Sequence, residues 1–172
     1  SYDITGNLTS KTGVGTYTFG QNGAGPHAVT TAGTDVYTYD GAGNMLTGGG
    51  RTVAYNTFRK PVEITKGSHV TSFEYGPDRA RYKRVDDDSI NVTTTIYMGN
   101  VEFITANGGS TKTKRYIAGV AVVTDTATTH EKHYLFKDHL GSINMIANND
   151  FTKSEEMSFD AFGKRRNLVN LS

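Results

Sequence analysis

Tyr39-Asp40-Gly41-Ala42-Gly43-Asn44-Met45-Leu46-Thr47 restates Tyr2-Asp3-Ile4-Thr5-Gly6-Asn7-Leu8-Thr9-Ser10, with the aromatic, Asp, Gly and Asn at identical offsets. Self-similarity of this kind marks a repeat architecture in which each copy is one supersecondary unit. Looser copies are Tyr55-Asn56-Thr57-Phe58-Arg59-Lys60-Pro61, Tyr75-Gly76-Pro77-Asp78-Arg79-Ala80-Arg81 and Phe159-Asp160-Ala161-Phe162-Gly163-Lys164-Arg165. Asp before a glycine-containing turn bonds forward to backbone N–H groups, and glycine supplies the positive φ. The aromatic packs on the neighbouring hairpin. Tyr2, Asp3, Gly6, Asn7, Tyr39, Asp40, Gly43 and Asn44 are thus structural motif positions, each set at a strand end and its turn. Marker aromatics at Tyr39, Tyr55, Tyr75, Tyr97, Tyr116, Tyr134 and Phe159 stand 16 to 25 residues apart. That spacing is two strands of about 5 to 6 residues plus their turns, so each unit is one hairpin.

Between the markers lie β-branched and aromatic runs such as Val70-Thr71-Ser72-Phe73-Glu74-Tyr75 and Tyr116-Ile117-Ala118-Gly119-Val120-Ala121-Val122-Val123. They are separated by Gly48-Gly49-Gly50, Lys66-Gly67-Ser68, Met98-Gly99-Asn100 and Asn107-Gly108-Gly109-Ser110, which are hairpin turn signals. The fold class is all-β: consecutive antiparallel hairpins forming a curved sheet. The best helical stretch, Pro77 to Tyr82, is too short to stand alone. Gly20 to Gly33 lacks strand character and reads as a connecting loop. Asp86-Asp87-Asp88 reads as a hairpin tip.

Composition narrows the function. The chain has 172 residues, 35% hydrophobic and 20% charged, with a formal net charge of +1. That balance argues against bulk attraction to nucleic acid or an anionic membrane. Without cysteine there is no thiol catalysis, cysteine-ligated zinc or disulfide scaffold. No apolar run approaches the roughly 18 residues of a membrane span.

Candidate chemistry is sparse, and no motif asks for a cofactor. His130-Glu131-Lys132-His133 offers two imidazoles, but on a strand i and i+3 face opposite sides, so no metal site is assigned. Asp138, His139 and Ser142 lack the geometry of a nucleophilic triad, being neighbours at one strand end without a Gly-x-Ser-x-Gly elbow. Asp138 and Gly141 suit a turn, and His139 suits a buried backbone group. Glu155-Glu156 and Asp86-Asp87-Asp88 read as solvated runs, not paired catalytic acids. Lys164-Arg165-Arg166 with Lys112, Lys114 and Arg115 forms a basic set too small for specific nucleic-acid binding in a near-neutral chain. Arg79, Arg81, Lys83 and Arg84 suit a ladder of ion pairs across hairpins.

Two elements in the last third carry a resemblance. Tyr134-Leu135-Phe136-Lys137-Asp138-His139-Leu140-Gly141-Ser142, followed by Phe159-Asp160-Ala161-Phe162-Gly163-Lys164-Arg165-Arg166, resembles the repeat-associated core of the Rhs/YD-repeat proteins. The Tyr-Asp units before it resemble their repeats. The resemblance divides the chain into a YD-repeat hairpin region, 1–133, and a core-like segment, 134–172. In that family a β-ribbon of hairpins spirals into a shell around a C-terminal toxin, and the core lies at the closing end. The resemblance therefore implies a non-catalytic shell segment, exported as part of a larger bacterial polypeptide. Its partners would be the rest of the shell, the toxin cargo, secretion-apparatus proteins or a second copy joined by edge pairing. Self-cleavage by an aspartyl site would require the family's Asp-Pro-x-Gly-Leu segment. That segment has no match, since the prolines are Pro26, Pro61 and Pro77. The alternative reading is a carbohydrate- or receptor-binding surface module using exposed tyrosines.

Overall fold

The computed structural model describes residues 1–168; the last four positions of the core-like segment lie outside the described residues. The chain is all-β, with seventeen strands and no helix among the described residues. It forms two compact units, Ser1–Val92 and Thr93–Ser172. In the first, β1 (Ser10–Lys11), β2 (Gly15–Phe19), β3 (Val29–Ala32) and β4 (Asp35–Val36) make a four-stranded sheet in sequence order. There follow β5 (Thr38–Tyr39), β6 (Met45–Gly48), β7 (Arg51–Tyr55), β8 (Pro61–Lys66), β9 (His69–Tyr75) and β10 (Arg81–Asp87), each antiparallel to the one before. The second unit repeats the arrangement. It contains β11 (Val92–Met98) from Thr93 onward, β12 (Val101–Ala106), β13 (Thr111–Ile117), β14 (Ala121–Asp125), β15 (His130–Lys137), β16 (Ile143–Ala147) and β17 (Lys153–Glu156). Tyr39, Tyr55, Tyr75, Tyr97, Tyr116 and Tyr134 fall on β5, β7, β9, β11, β13 and β15, one marker for every second strand.

Two kinds of turn join the strands. Short turns centred on Gly49-Gly50, Asn107-Gly108 and Ala118-Gly119 place both central residues at positive φ, which matches the twist of the flanking strands. The other kind is a five-residue loop, here counted i to i+4. In it the N–H of i donates to the carbonyl of i+4, and the N–H of i+3 donates to the carbonyl of i. Copies begin at Asp3, Asp40, Asn56, Gly76, Asp138, Asn148 and Asp160, with both bonds between 2.8 and 3.1 Å. Residue i+3 is left-handed in every copy: Gly6, Gly43, Arg59, Arg79, Gly141, Phe151 and Gly163, with φ between 61° and 87°. Residue i−1 pairs with i+5 throughout, as in Tyr2↔Leu8, Tyr39↔Met45 and Phe159↔Arg165. Beyond that pair the register slips, leaving Leu46, Val62, Tyr82, Asn144 and Ser154 as bulged residues on the outgoing strands.

Two local expectations change. Val29–Ala32, within the stretch expected to be loop, is β3 and pairs with both β2 and β4. Its Val-Thr-Thr core has β character that the surrounding glycines conceal. The helical stretch at Pro77 is the fourth bulge loop of the first unit, and Arg81 and Tyr82 already belong to β10.

Little is buried. Among the described residues the core side chains are Ala32, Val53, Ala121, Val123 and Ala147, with Thr30 and Thr95, and no large side chain is fully buried. The exposed surface is 11481 Å², against about 8300 Å² for a compact monomer of this mass. Each unit is a ladder of hairpins without the second packed layer of an ordinary domain. Its cohesion comes from backbone pairing and cross-strand contacts such as Thr38–Thr47 (2.6 Å), Thr105–Thr111 (2.9 Å) and Lys83–Glu74 (2.7 Å).

Candidate functional site

The bulge loop is the recurring device into which the motif residues fold. Asp40 Oδ1 accepts from the N–H groups of Ala42 (2.9 Å) and Asn44 (2.8 Å), while Oδ2 accepts from Asn44 Nδ2 (2.8 Å). These bonds, the Asn44 amide first, hold the Asp40 carboxyl below the usual carboxylate range. Asp3 repeats the pattern with Thr5 and Asn7, and the Thr5 hydroxyl is the main cause of its lowered pKa. Asp138 accepts from Leu140 and Ser142 (both 2.9 Å), and Asp160 from Phe162 and Lys164 (both 2.8 Å). Where i is not Asp, a substitute serves. Gly76 has no side chain, and Asp78 Oδ1 stands 2.9 Å from where its Cβ would be, accepting from Ala80 N–H at 3.0 Å. Asp150 does the same for Thr152 in the Asn148 loop.

The tyrosine at i−1 has its own function in the first unit. Tyr39, Tyr55 and Tyr75 donate their hydroxyls to the carbonyls of Val29 (2.7 Å), Met45 (3.0 Å) and Pro61 (2.7 Å). The last two acceptors are the i+5 residues of the preceding loop, so the Asn56 and Gly76 loops are each tied to the one before. Burial raises the pKa of Tyr39 and Tyr75. In the second unit i−1 is Lys137, Ala147 or Phe159, and the marker tyrosines lie elsewhere on their strands: Tyr116 bonds to Glu102 (3.2 Å), and Tyr134 stacks on Phe151 with centroids 4.9 Å apart.

The second unit carries an open groove of about 1000 Å³ between the Asp138 and Asp160 loops. Here the structure brings together Asp138, Gly141, Ser142, Phe159, Asp160 and Gly163, with Leu140, Ile143, Ile146 and Met157 as apolar walls. Sequence reading missed the last three; their only signal is their position on the strands that flank the two motif loops. His139 and Phe162 are not among the lining residues, and His139 is exposed, not set against a buried backbone group. Tyr2, Asp3, Gly6, Asn7, Tyr39, Asp40, Gly43 and Asn44 belong to the first unit. Both groove carboxylates commit an oxygen to two backbone N–H groups, so their geometry shapes loops.

The other candidates disperse as well. His130 Nδ1 lies 2.6 Å from Asp125 Oδ1, whose other oxygen takes Arg115 at 2.5 Å. No three His, Asp or Glu side chains among the described residues are grouped to hold a metal ion. Of the cations expected to form a ladder, Lys83 pairs with Glu74 and Arg84 with Asp86, whereas Arg79 and Arg81 lie over the rings of Phe58 and Phe73. Asp86 is on β10, taking the Thr71 hydroxyl at 2.9 Å, and Asp88 opens the tip. Glu155 takes Arg165 at 2.6 Å and Glu156 takes Lys153 at 2.7 Å, which leaves β17 with a charged margin.

No protein-family model matches the sequence, and no curated protein matches it. Among solved structures, the chain is similar to one in the Photorhabdus luminescens Tc holotoxin pore with a mutated TccC3, at a TM-score of 0.65 and 14% identity. It is equally similar to one in the crystal structure of TcdB2-TccC3-TEV, at a TM-score of 0.67 and 14% identity. The fold is Rhs-like. Each match covers 87% of this chain and 10% of the other, so the Rhs-like ladder spans about a tenth of the chains it resembles. The first neighbour is part of a Tc holotoxin pore, and the second of a structure that joins TcdB2 and TccC3. No helix among the described residues is long and apolar enough to cross a membrane.

Proposed function

We propose that this chain is a stretch of wall in an exported bacterial β-shell that encloses a toxin and helps deliver it, without catalytic chemistry of its own. The observation that carries this reading is the single-layered hairpin ladder, whose faces leave roughly 40% more surface exposed than a compact domain of equal mass would. Such a ladder suits a wall, because stability comes from strand to strand along the sheet and neither face needs a covering layer. The toxin assemblies that hold the similar chains support the same role. A larger polypeptide would supply the strands that continue the sheet, and its cargo would sit against one face. The carbohydrate-binding alternative draws less support, since Tyr39, Tyr55 and Tyr75 use their hydroxyls on backbone carbonyls. Limited proteolysis of the native polypeptide, followed by mass spectrometry, tests the proposal. Cargo peptides should survive until the shell is unfolded by denaturant, and cargo digested as fast as a free toxin domain would refute enclosure.

A further inference from the structure

Position i+3 of the bulge loop is left-handed in all seven copies, and glycine occupies it in four. Arg59 and Arg79, both at φ 61°, break that pattern in two successive bulge loops at one end of the first unit's sheet. The loops emerge two strand spacings apart, about 9.6 Å. A left-handed arginine is conformationally disfavoured, so something other than the turn selects it. Neither side chain forms an ion pair among the described residues. The Arg79 guanidinium lies 4.4 Å from the centre of the Phe58 ring, and Phe58 is 53% exposed. Lys60 is exposed beside them. The nearby carboxylates are engaged: Asp40 and Asp78 turn back into their own loops, the Arg59 charge adding a lesser stabilisation to the Asp40 carboxylate without closing an ion pair, and Glu74 is held by Lys83 and Tyr82.

We propose that this loop end is a docking surface for an acidic polypeptide segment of a protein partner. Arg59 and Arg79 would take its carboxylates in planar two-point contacts, Lys60 would add charge, and Phe58 would carry its aliphatic stems. Guanidinium groups are suited to that geometry. A membrane surface would call for several apolar anchors beside the cations, and here there is one ring. A nucleic-acid strand would call for successive stacking platforms, and the one available ring already carries a guanidinium on a face. The inference rests on these loops alone and is independent of the shell reading.

Fluorescence anisotropy of a labelled oligoglutamate peptide, titrated with the whole chain at two salt concentrations, tests it. Saturable binding that weakens with salt is expected, falling about tenfold for each of Arg59→Gly and Arg79→Gly. Arg59→Gly should at the same time keep or raise the melting temperature, because glycine suits the left-handed position. A structural role for Arg59 would show the reverse, a lower melting temperature with unchanged binding. No saturable binding, unchanged binding by the double variant, or tighter binding to single-stranded DNA or phosphatidylserine vesicles than to the peptide would each overturn the proposal.

Discussion

Gly33→Ala combines two perturbations that other glycines of this chain keep apart. Gly43 sits at φ +82° with nothing within 4 Å of its missing Cβ, so Gly43→Ala tests left-handed strain alone. That strain costs about 1–2 kcal/mol, offset by up to about 1 kcal/mol from the stiffer unfolded chain, which leaves a net loss near 0.5–1 kcal/mol. Gly48 is buried and has no positive φ, but a Cβ there would lie 2.1 Å from Tyr37 Cδ1. Tyr37 is anchored through its N–H to the Thr30 carbonyl at 3.0 Å, so its ring has limited room to retreat. Overpacking of this kind costs about 1–3 kcal/mol. At Gly33, φ is +60° and the added Cβ would stand 2.2 Å from the Val14 carbonyl oxygen, a backbone atom. Relief there must shift the turn closed by Val14 N–H to Lys11 O (3.1 Å). The two terms together give a loss of about 2–4 kcal/mol. Urea unfolding of the three single variants, followed by circular dichroism, should rank them Gly33→Ala worst and Gly43→Ala mildest. A Gly33→Ala variant no less stable than Gly43→Ala would refute the reasoning, because it would mean that the strand β3 margin yields freely.

Other expectations follow from the same loops. Tyr39→Phe and Tyr75→Phe each remove a hydroxyl bond to a backbone carbonyl at 2.7 Å, for about 0.5–1.5 kcal/mol apiece by chemical denaturation. Since burial raises both phenol pKa values, their contribution is complete below the unfolded value of about 10. It is lost as pH rises through the folded value, so the double variant should flatten the alkaline limb of a stability–pH curve. Asp3, Asp40 and Asp150 are shifted the other way by hydrogen bonds from their own loops. Their contribution is present above the unfolded value of about 3.9 and is lost as pH falls through the depressed folded values. Asp40→Asn, which keeps an acceptor oxygen but no charge, should shallow the acid limb, and an unaltered slope would contradict this. Phe151 is left-handed and stacks on Tyr134. Phe151→Ala loses the stack but keeps the strain, whereas Phe151→Gly loses both, so the glycine variant should be the more stable by about 1 kcal/mol in thermal melts.

The hairpin repeat was legible because the bulge loop needs an acceptor at i and a left-handed residue at i+3, and Asp40-Gly41-Ala42-Gly43 states both in its residue types. The loop at Asn148 was not, because its acceptor moves to Asp150 and its left-handed position holds Phe151, so neither marker stands where the pattern places it. β3 escaped notice because three β-prone residues, Val29, Thr30 and Thr31, are set among glycines and pair only through β2 and β4. The groove joins two motif elements that the sequence already singled out. Its Ile143, Ile146 and Met157 walls depend on which way side chains leave bulged strands, and a one-residue bulge reverses that alternation. The ties from Tyr39, Tyr55 and Tyr75 were equally hidden: an aromatic in a repeat predicts packing, but its hydroxyl partner is set by the three-dimensional register.

Cryo-electron microscopy of the native polypeptide that carries this sequence tests the central claim most directly. The shell reading predicts β17 hydrogen-bonded along its outer edge to a further strand, in a continuous sheet that surrounds density for an enclosed domain. A ladder that ends at β17 with solvent on both faces, and no enclosed density, would contradict it.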